Sequence, residues 1–262
     1  MDYFLLILAS ILTGFINTLA GSGSLIMMPL LMWMGLPADV ANGTNRVAVL
    51  FQSFVGVGTY LRSGKIIIGR AWWLIVPCVI GAMAGAYIAT IASAATIKSF
   101  LGVLMIVMLG IILLQPGKWI REFQAADSIT YEKRPLVLVL MFIIGFYGGF
   151  IQAGVGIFLL ACMVMLVNYT ITYANAIKLV VVLFYAVPVL IIFIIKDQVD
   201  WPLGIITALG QGVGAYVGAL FATRYPKANL WTYRLLIVVL VITILQFYHV
   251  PTRAYELFIH LF

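Results

Sequence analysis

Ten apolar runs take up most of this chain. They cover residues 3–20, 24–36, 39–61, 71–92 and 96–115, then, after a polar stretch, 135–153, 156–168, 172–195, 201–222 and 230–249, about 190 residues in all. The remainder is too short to build a separate water-soluble catalytic domain. Composition agrees: 65% of residues are hydrophobic and 9% charged, against roughly 45–50% and 25% in soluble domains. In lipid every backbone polar group must be satisfied internally, which helices and closed barrels alone achieve. Continuous apolar runs, rather than period-two alternation, select helices. The expected fold class is an all-α integral membrane protein.

Sliding the sequence by 133 positions lays the second five runs on the first five without a gap. Ala20, Gly21 and Gly23 then meet Ala153, Gly154 and Gly156, and Ala41-Asn42 meets Ala174-Asn175. Leu50-Phe51 falls on Leu183-Phe184, and Gly81-Ala82 with Gly85-Ala86 on Gly214-Ala215 with Gly218-Ala219. The chain therefore reads as two repeats, 1–115 and 135–250, joined by a linker at 116–134 and followed by a tail at 251–262. In each repeat the second run is about 13 residues, roughly 20 Å of helix against a hydrocarbon core of about 30 Å. Each follows a glycine break, so each repeat is expected to carry a broken or re-entrant helix pair plus three transmembrane helices. Short, glycine-interrupted segments at matching places in two halves point to a transporter binding site.

Either path gives an odd number of crossings per repeat, so the second repeat is expected to be inverted. Ten basic residues, Arg62, Lys65, Arg70, Lys118, Arg121, Lys133, Arg134, Arg224, Lys227 and Arg234, fall on one side, and Lys98, Lys196 and Arg253 on the other. The positive-inside rule makes the richer side cytoplasmic and puts both termini outside. Topology thus accounts for the formal net charge of +7, with membrane lipid as the surroundings and no nucleic-acid partner expected. The first run lacks the basic n-region of a cleaved signal peptide and is expected to stay in the mature protein.

Two basic residues remain, Arg46 and Lys178, several residues inside their helices. Arg46 either snorkels to the interface or faces the bundle interior. Asn42, Asn45, Arg46, Gln52 and Ser53 share one broad helical face, and Asn175, Lys178 and Tyr185 partly repeat it, which favours the interior. At the breaks, a helix that starts inside the membrane directs unpaired N–H groups and a partial positive charge at whatever precedes it, an anion site by construction. The candidate site therefore combines Arg46 and Lys178 for charge, Asn42, Thr44, Asn45, Gln152 and Asn175 as orienting donors, and the backbone at Ser22, Gly23, Ser24, Val155 and Gly156 as a cradle for a small anion.

All eight acidic residues lie in loops, termini or run ends, which disfavours proton- or sodium-coupled uptake. An anion leaving a negative interior gains about 2.3 kcal/mol per 100 mV, roughly fifty-fold accumulation outside, so export can run on membrane potential alone. Cys78 and Cys162 lie inside apolar runs without metal-ligand spacing, so neither a metal nor a cofactor is expected. Ser22 with His249 is the sole faint pairing for a serine hydrolase, and an enzyme is not expected.

The same residues carry a family resemblance. Ala20-Gly21-Ser22-Gly23-Ser24 with Pro29, Gly35-Leu36-Pro37, Ala41-Asn42-Gly43-Thr44-Asn45-Arg46, Gly145-Phe146-Tyr147-Gly148-Gly149-Phe150, Gly154-Val155-Gly156 and Ala174-Asn175-Ala176-Ile177-Lys178 together resemble the sulfite exporter TauE/SafE family, from about Leu12 to Gln246. The resemblance implies export of sulfite or small organosulfonates such as sulfoacetate across the bacterial cytoplasmic membrane. Ser22, Ser24 and Gln152 stand here where family members often carry a denser glycine run. The competing expectations are an anion channel, a carrier of a carboxylate or a cation, and a scaffold without transport.

Overall fold

The computed structural model describes residues 3–64, 72–90, 134–225 and 227–247. The expected run at 96–115, the linker apart from Arg134, and the tail lie outside the described residues. The described chain is all helical: α1 (Tyr3–Ala20), α2 (Ser24–Trp33), α3 (Ala38–Arg62), α4 (Trp72–Ala89), α5 (Arg134–Phe150), α6 (Val155–Met165), α7 (Ile171–Ile195), α8 (Trp201–Arg224) and α9 (Ala228–Phe247). Of these, α1, α4, α7 and α8 are each long and apolar enough to cross a membrane. Large apolar side chains such as Phe4, Trp33, Phe54 and Ile195 lie on the outer surface. A soluble monomer rarely exposes so much apolar area, whereas a lipid-facing bundle must.

Local chemistry sets the helix ends. Pro37, with φ −56° and no N–H, precedes α3, Asp39 stands in its first turn and Arg62 in its last, matching the helix dipole. Thr170 caps α7 by accepting from the Tyr173 amide, and Asp200 caps α8 by accepting from Leu203 N at 2.9 Å. Helix α1 stops because Gly21 adopts φ +75° and closes the turn with its N–H on Asn17 O at 2.9 Å. Gly154, also at φ +75°, precedes α6.

Both short helices fold back on the helix before them. The Gly23 backbone lies against Thr13 and Asn17 of α1, and Met27 and Leu31 of α2 share a buried cluster with Leu6 near the start of α1. In the second half the Phe158 ring meets Tyr147 at 5.4 Å, where a continuous helix would hold residues so spaced about 16 Å apart.

Around these hairpins the packing exchanges the two repeats. Helix α1 packs on α8, with Gly214 against Ile11 and Phe15, and α5 packs on α4, with Gly81 against Phe142 and Phe146. Helix α3 runs parallel to α8, since Gly204 meets Val47 and Gly212 meets Phe51. It passes α7 in the opposite direction, Gly43 meeting Phe193 and Gly56 meeting Leu179. Small residues allow this close approach, which in lipid replaces the missing hydrophobic drive between helices.

One expectation is corrected. The ungapped offset of 133 holds from the breaks onward but not for the first helix of each repeat. Gly14 packs on Gln211 as Gly145 packs on Cys78, and Ile11 and Phe15 occupy the places of Phe142 and Phe146. The first helices therefore match at an offset of 131, which aligns Gly14-Phe15 with Gly145-Phe146. Two extra residues, Ile151 and Gln152, lie between α5 and the second break, so α5 ends at Phe150 rather than at residue 153.

Candidate functional site

The two breaks meet. Gly156 N donates to Gly21 O at 3.1 Å, and the two glycine backbones touch so closely that a Cβ on either would overlap the other. Glycine is required at Gly21 both for its positive φ and for this crossing. Neither α2 nor α6 has a side-chain cap at its start. Polar hydrogens of Ser22 to Ser24 and of Val155 thus remain close to the crossing, although the Gly156 amide is engaged by Gly21.

Arg46 is fully buried, so it faces the bundle interior and does not snorkel. Its Nη1 donates to Gly148 O at 2.6 Å and Gln152 Oε1 at 2.7 Å, and its Nη2 to Gly149 O at 2.8 Å and Asn42 Oδ1 at 3.2 Å. The guanidinium also lies 5.1 Å from the centre of the Phe193 ring. Lys178 is equally buried, and its Nζ donates to Asn17 O, Thr18 O and Asn175 Oδ1, each at 2.8 Å. At the corrected offset, Asn17 and Thr18 are the counterparts of Gly148 and Gly149.

Each cation therefore caps the last turn of the broken helix in the opposite repeat, steadied by an asparagine one turn earlier on its own helix. Cations are favourable at a helix C-terminus, where carbonyls lack intrahelical partners. The same bonds cross-link the two repeats.

The other expected residues fall into three groups. Asn42, Gln152 and Asn175 belong to the two cation networks: Asn42 Nδ2 donates to Phe150 O at 3.2 Å, and Gln152 Nε2 to Tyr185 Oη at 3.0 Å. Asn45 and Ser22 are buried with no partner for their side-chain polar atoms, as are Asn175 Nδ2 and Arg46 Nε. Thr44 stands apart, its Oγ1 accepting from Asp200 N at 2.9 Å where α3 meets the start of α8. Thr44→Ala is expected to lower thermal stability by about 1 kcal/mol and leave solute flux unchanged, as melting in detergent and flux in vesicles will show.

Two tyrosines complete the site, of which Tyr185 stood on the expected polar stripe and Tyr147 carried little signal in the sequence. Tyr147 Oη donates to Ala153 O at 2.6 Å and holds the second break closed, and Tyr185 receives Gln152. Tyr147 looks like an ordinary aromatic residue of an apolar run.

Comparison with known proteins agrees with this architecture. A relative from Sinorhizobium sp. named Probable membrane transporter protein ORF9 is 29% identical over 219 residues, 83% of this chain and 82% of its own length. The Escherichia coli K12 protein named Probable membrane transporter protein YfcA is 26% identical over 214 residues, 82% and 78% of the two chains. The Bacillus subtilis protein named Probable membrane transporter protein YunE is 21% identical over 241 residues, 84% and 88% of the two chains. No solved structure matches. The family description Sulfite exporter TauE/SafE matches residues 6–247. With nearly the whole chain matched, this multi-pass membrane protein is a transporter that belongs to the sulfite exporter TauE/SafE family.

Proposed function

We propose that the chain exports a small sulfur oxyanion or organosulfonate, such as sulfite or sulfoacetate, from the cytoplasm by alternating access at the crossing of its two hairpins. The observation that carries this reading is the charge balance of the interior. Among the described residues Arg46 and Lys178 are the buried charged side chains, and no carboxylate is buried with them. Helix-end carbonyls offset part of that charge, and a mobile anion offsets the rest. The unpaired donors at Arg46 Nε, Asn45, Asn175 and Ser22 supply hydrogen bonds to oxyanion oxygens, with the helix starts at Ser22 to Ser24 and at Val155 as the cradle and the Gly156 amide taken up by Gly21 O. Contact between the hairpin tips, rather than an open bore, favours a carrier over a channel.

In this reading the repeats are inverted across the bacterial cytoplasmic membrane with both termini outside, which the antiparallel passage of α3 and α7 supports. Proteoliposomes loaded with sulfite or sulfoacetate test it. An inside-negative potential is expected to drive efflux toward roughly fifty-fold accumulation per 100 mV of a monoanion, with no proton or sodium gradient. Flux indifferent to the sign of the potential, cation-selective flux, or conductance at channel rates would reject it.

A further inference from the structure

The two repeats wrap the same backbone around different chemistry. On the side built by α1, α3 and α8, Thr13, Ser22, Ser53 and Gln211 are each 0% exposed, and none of their side-chain polar atoms has a hydrogen-bond partner. Their counterparts in the other repeat, at the corrected offsets, are Ile144, Val155, Ala186 and Cys78, all buried and all apolar. Gln211 lies where α8 meets both neighbours: Gly210 backs on Ser10, Gln211 on Gly14, and Gly212 on Phe51. Ser53 stands two turns beyond Arg46 on the same face of α3.

A close-packed interior disfavours polar groups without partners, and one such residue could be incidental. Three on the packed helices α1, α3 and α8 and a fourth in the break after α1, each matched by an apolar residue at the equivalent position, mark a face made for something polar. Hydroxyl and amide groups hydrogen-bond oxyanion oxygens without adding charge, so they guide a solute where a cation would trap it. Among the described residues of the opposite face, Asn175 Nδ2 beside Lys178 is the one such group, and Cys78, Ile144 and Val155 belong to the main apolar core.

We infer that the solute leaves the crossing along α1, α3 and α8 alone, lined by Thr13, Ser22, Ser53 and Gln211, while α4, α5 and α7 form a sealed wall. The route deepens the export reading and rests on it for the nature of the solute. The anionic thiol reagent (2-sulfonatoethyl) methanethiosulfonate, itself an organosulfonate, tests it in a Cys162→Ala background that keeps the native Cys78. Applied to both faces of reconstituted vesicles, it is expected to modify Ser53→Cys and Gln211→Cys at least about tenfold faster than Cys78 and Ala186→Cys. Sulfoacetate, which unlike sulfite does not react with the thiosulfonate, is expected to slow the reaction at the first pair only.

Elution as a single species confirms folding, and reaction in detergent confirms every thiol. Because serine to cysteine is nearly isosteric, Ser53→Cys keeps the test decisive if Gln211→Cys misfolds. Equal rates at both sets, or inert thiols at 53 and 211, would overturn the route. Sulfite flux in the same vesicles is scored separately: fast labelling without flux keeps the asymmetric path and sinks the export reading, and flux with equal labelling does the reverse.

Discussion

Gly21→Ala is expected to abolish solute flux and to destabilise the protein by about 2–5 kcal/mol, the sum of a left-handed backbone penalty and an overpacked contact. The position combines φ +75° with the backbone of Gly156 directly beside it, so neither a side-chain rotation nor a local shift relieves the clash. Gly156→Ala meets the same neighbour from the other side without the φ penalty, and its loss of stability is expected to be the smaller. Gly58→Ala serves as the control of opposite sign: it lies within α3 with open space around it and is expected to gain up to about 1 kcal/mol. Melting followed by size-exclusion elution, together with flux, separates the three. Near-normal flux in Gly21→Ala would mean that the hairpin tips need not touch during transport.

A second large effect is expected at the buried cations. Arg46→Gln removes the donors that serve Gly148 O and Gly149 O, and Lys178→Gln removes those on Asn17 O and Thr18 O. Each carbonyl left without a donor costs roughly 1–3 kcal/mol, while deleting a buried charge returns part of its desolvation cost; a net loss of about 2–4 kcal/mol is expected for Arg46→Gln and a smaller one for Lys178→Gln, where Asn17 O keeps the Gly21 N–H. Sulfite flux per folded molecule is expected to fall at least about tenfold, because the positive interior that attracts the anion is halved. Arg46→Lys keeps the charge but not the fork of four bonds, and is expected to restore flux more than stability. Arg46→Gln with full flux per folded molecule would leave Arg46 as a helix cap without a part in transport.

Much of the scaffold was legible because lipid enforces simple rules. Apolar runs placed the described helices within about three residues, and the duplicated glycines marked both breaks. The register of the first helices was not legible, since Gly21 and Gly154 align so well at 133 that they hid the two-residue gap before them. With that gap unseen, Gly148 and Gly149 could not be recognised as counterparts of Asn17 and Thr18. The cations themselves stood out, because a charge inside an apolar run is conspicuous. Their partners did not, because main-chain carbonyls occur at every residue and only the fold decides which ones lose their intrahelical bond. Thr44 shared a motif with Arg46 yet points to Asp200, since neighbouring residues on a helix face different ways.

The extra Ile151 and Gln152 make the two joints unlike: each cation is held by main-chain carbonyls and an asparagine amide, and Arg46 alone is gripped by a second side-chain amide, that of Gln152. Two halves so built cannot exchange shapes as mirror images, and the inward- and outward-facing states of such a carrier differ in energy. Microscopic reversibility still forbids this lopsidedness from acting as a one-way valve, because a bound solute shifts an equilibrium only by its unequal affinity for the two states. Under the proposed alternating access, the inserted pair instead sets the concentration at which each face saturates, and the electrical gradient and the solute supply decide which way traffic flows.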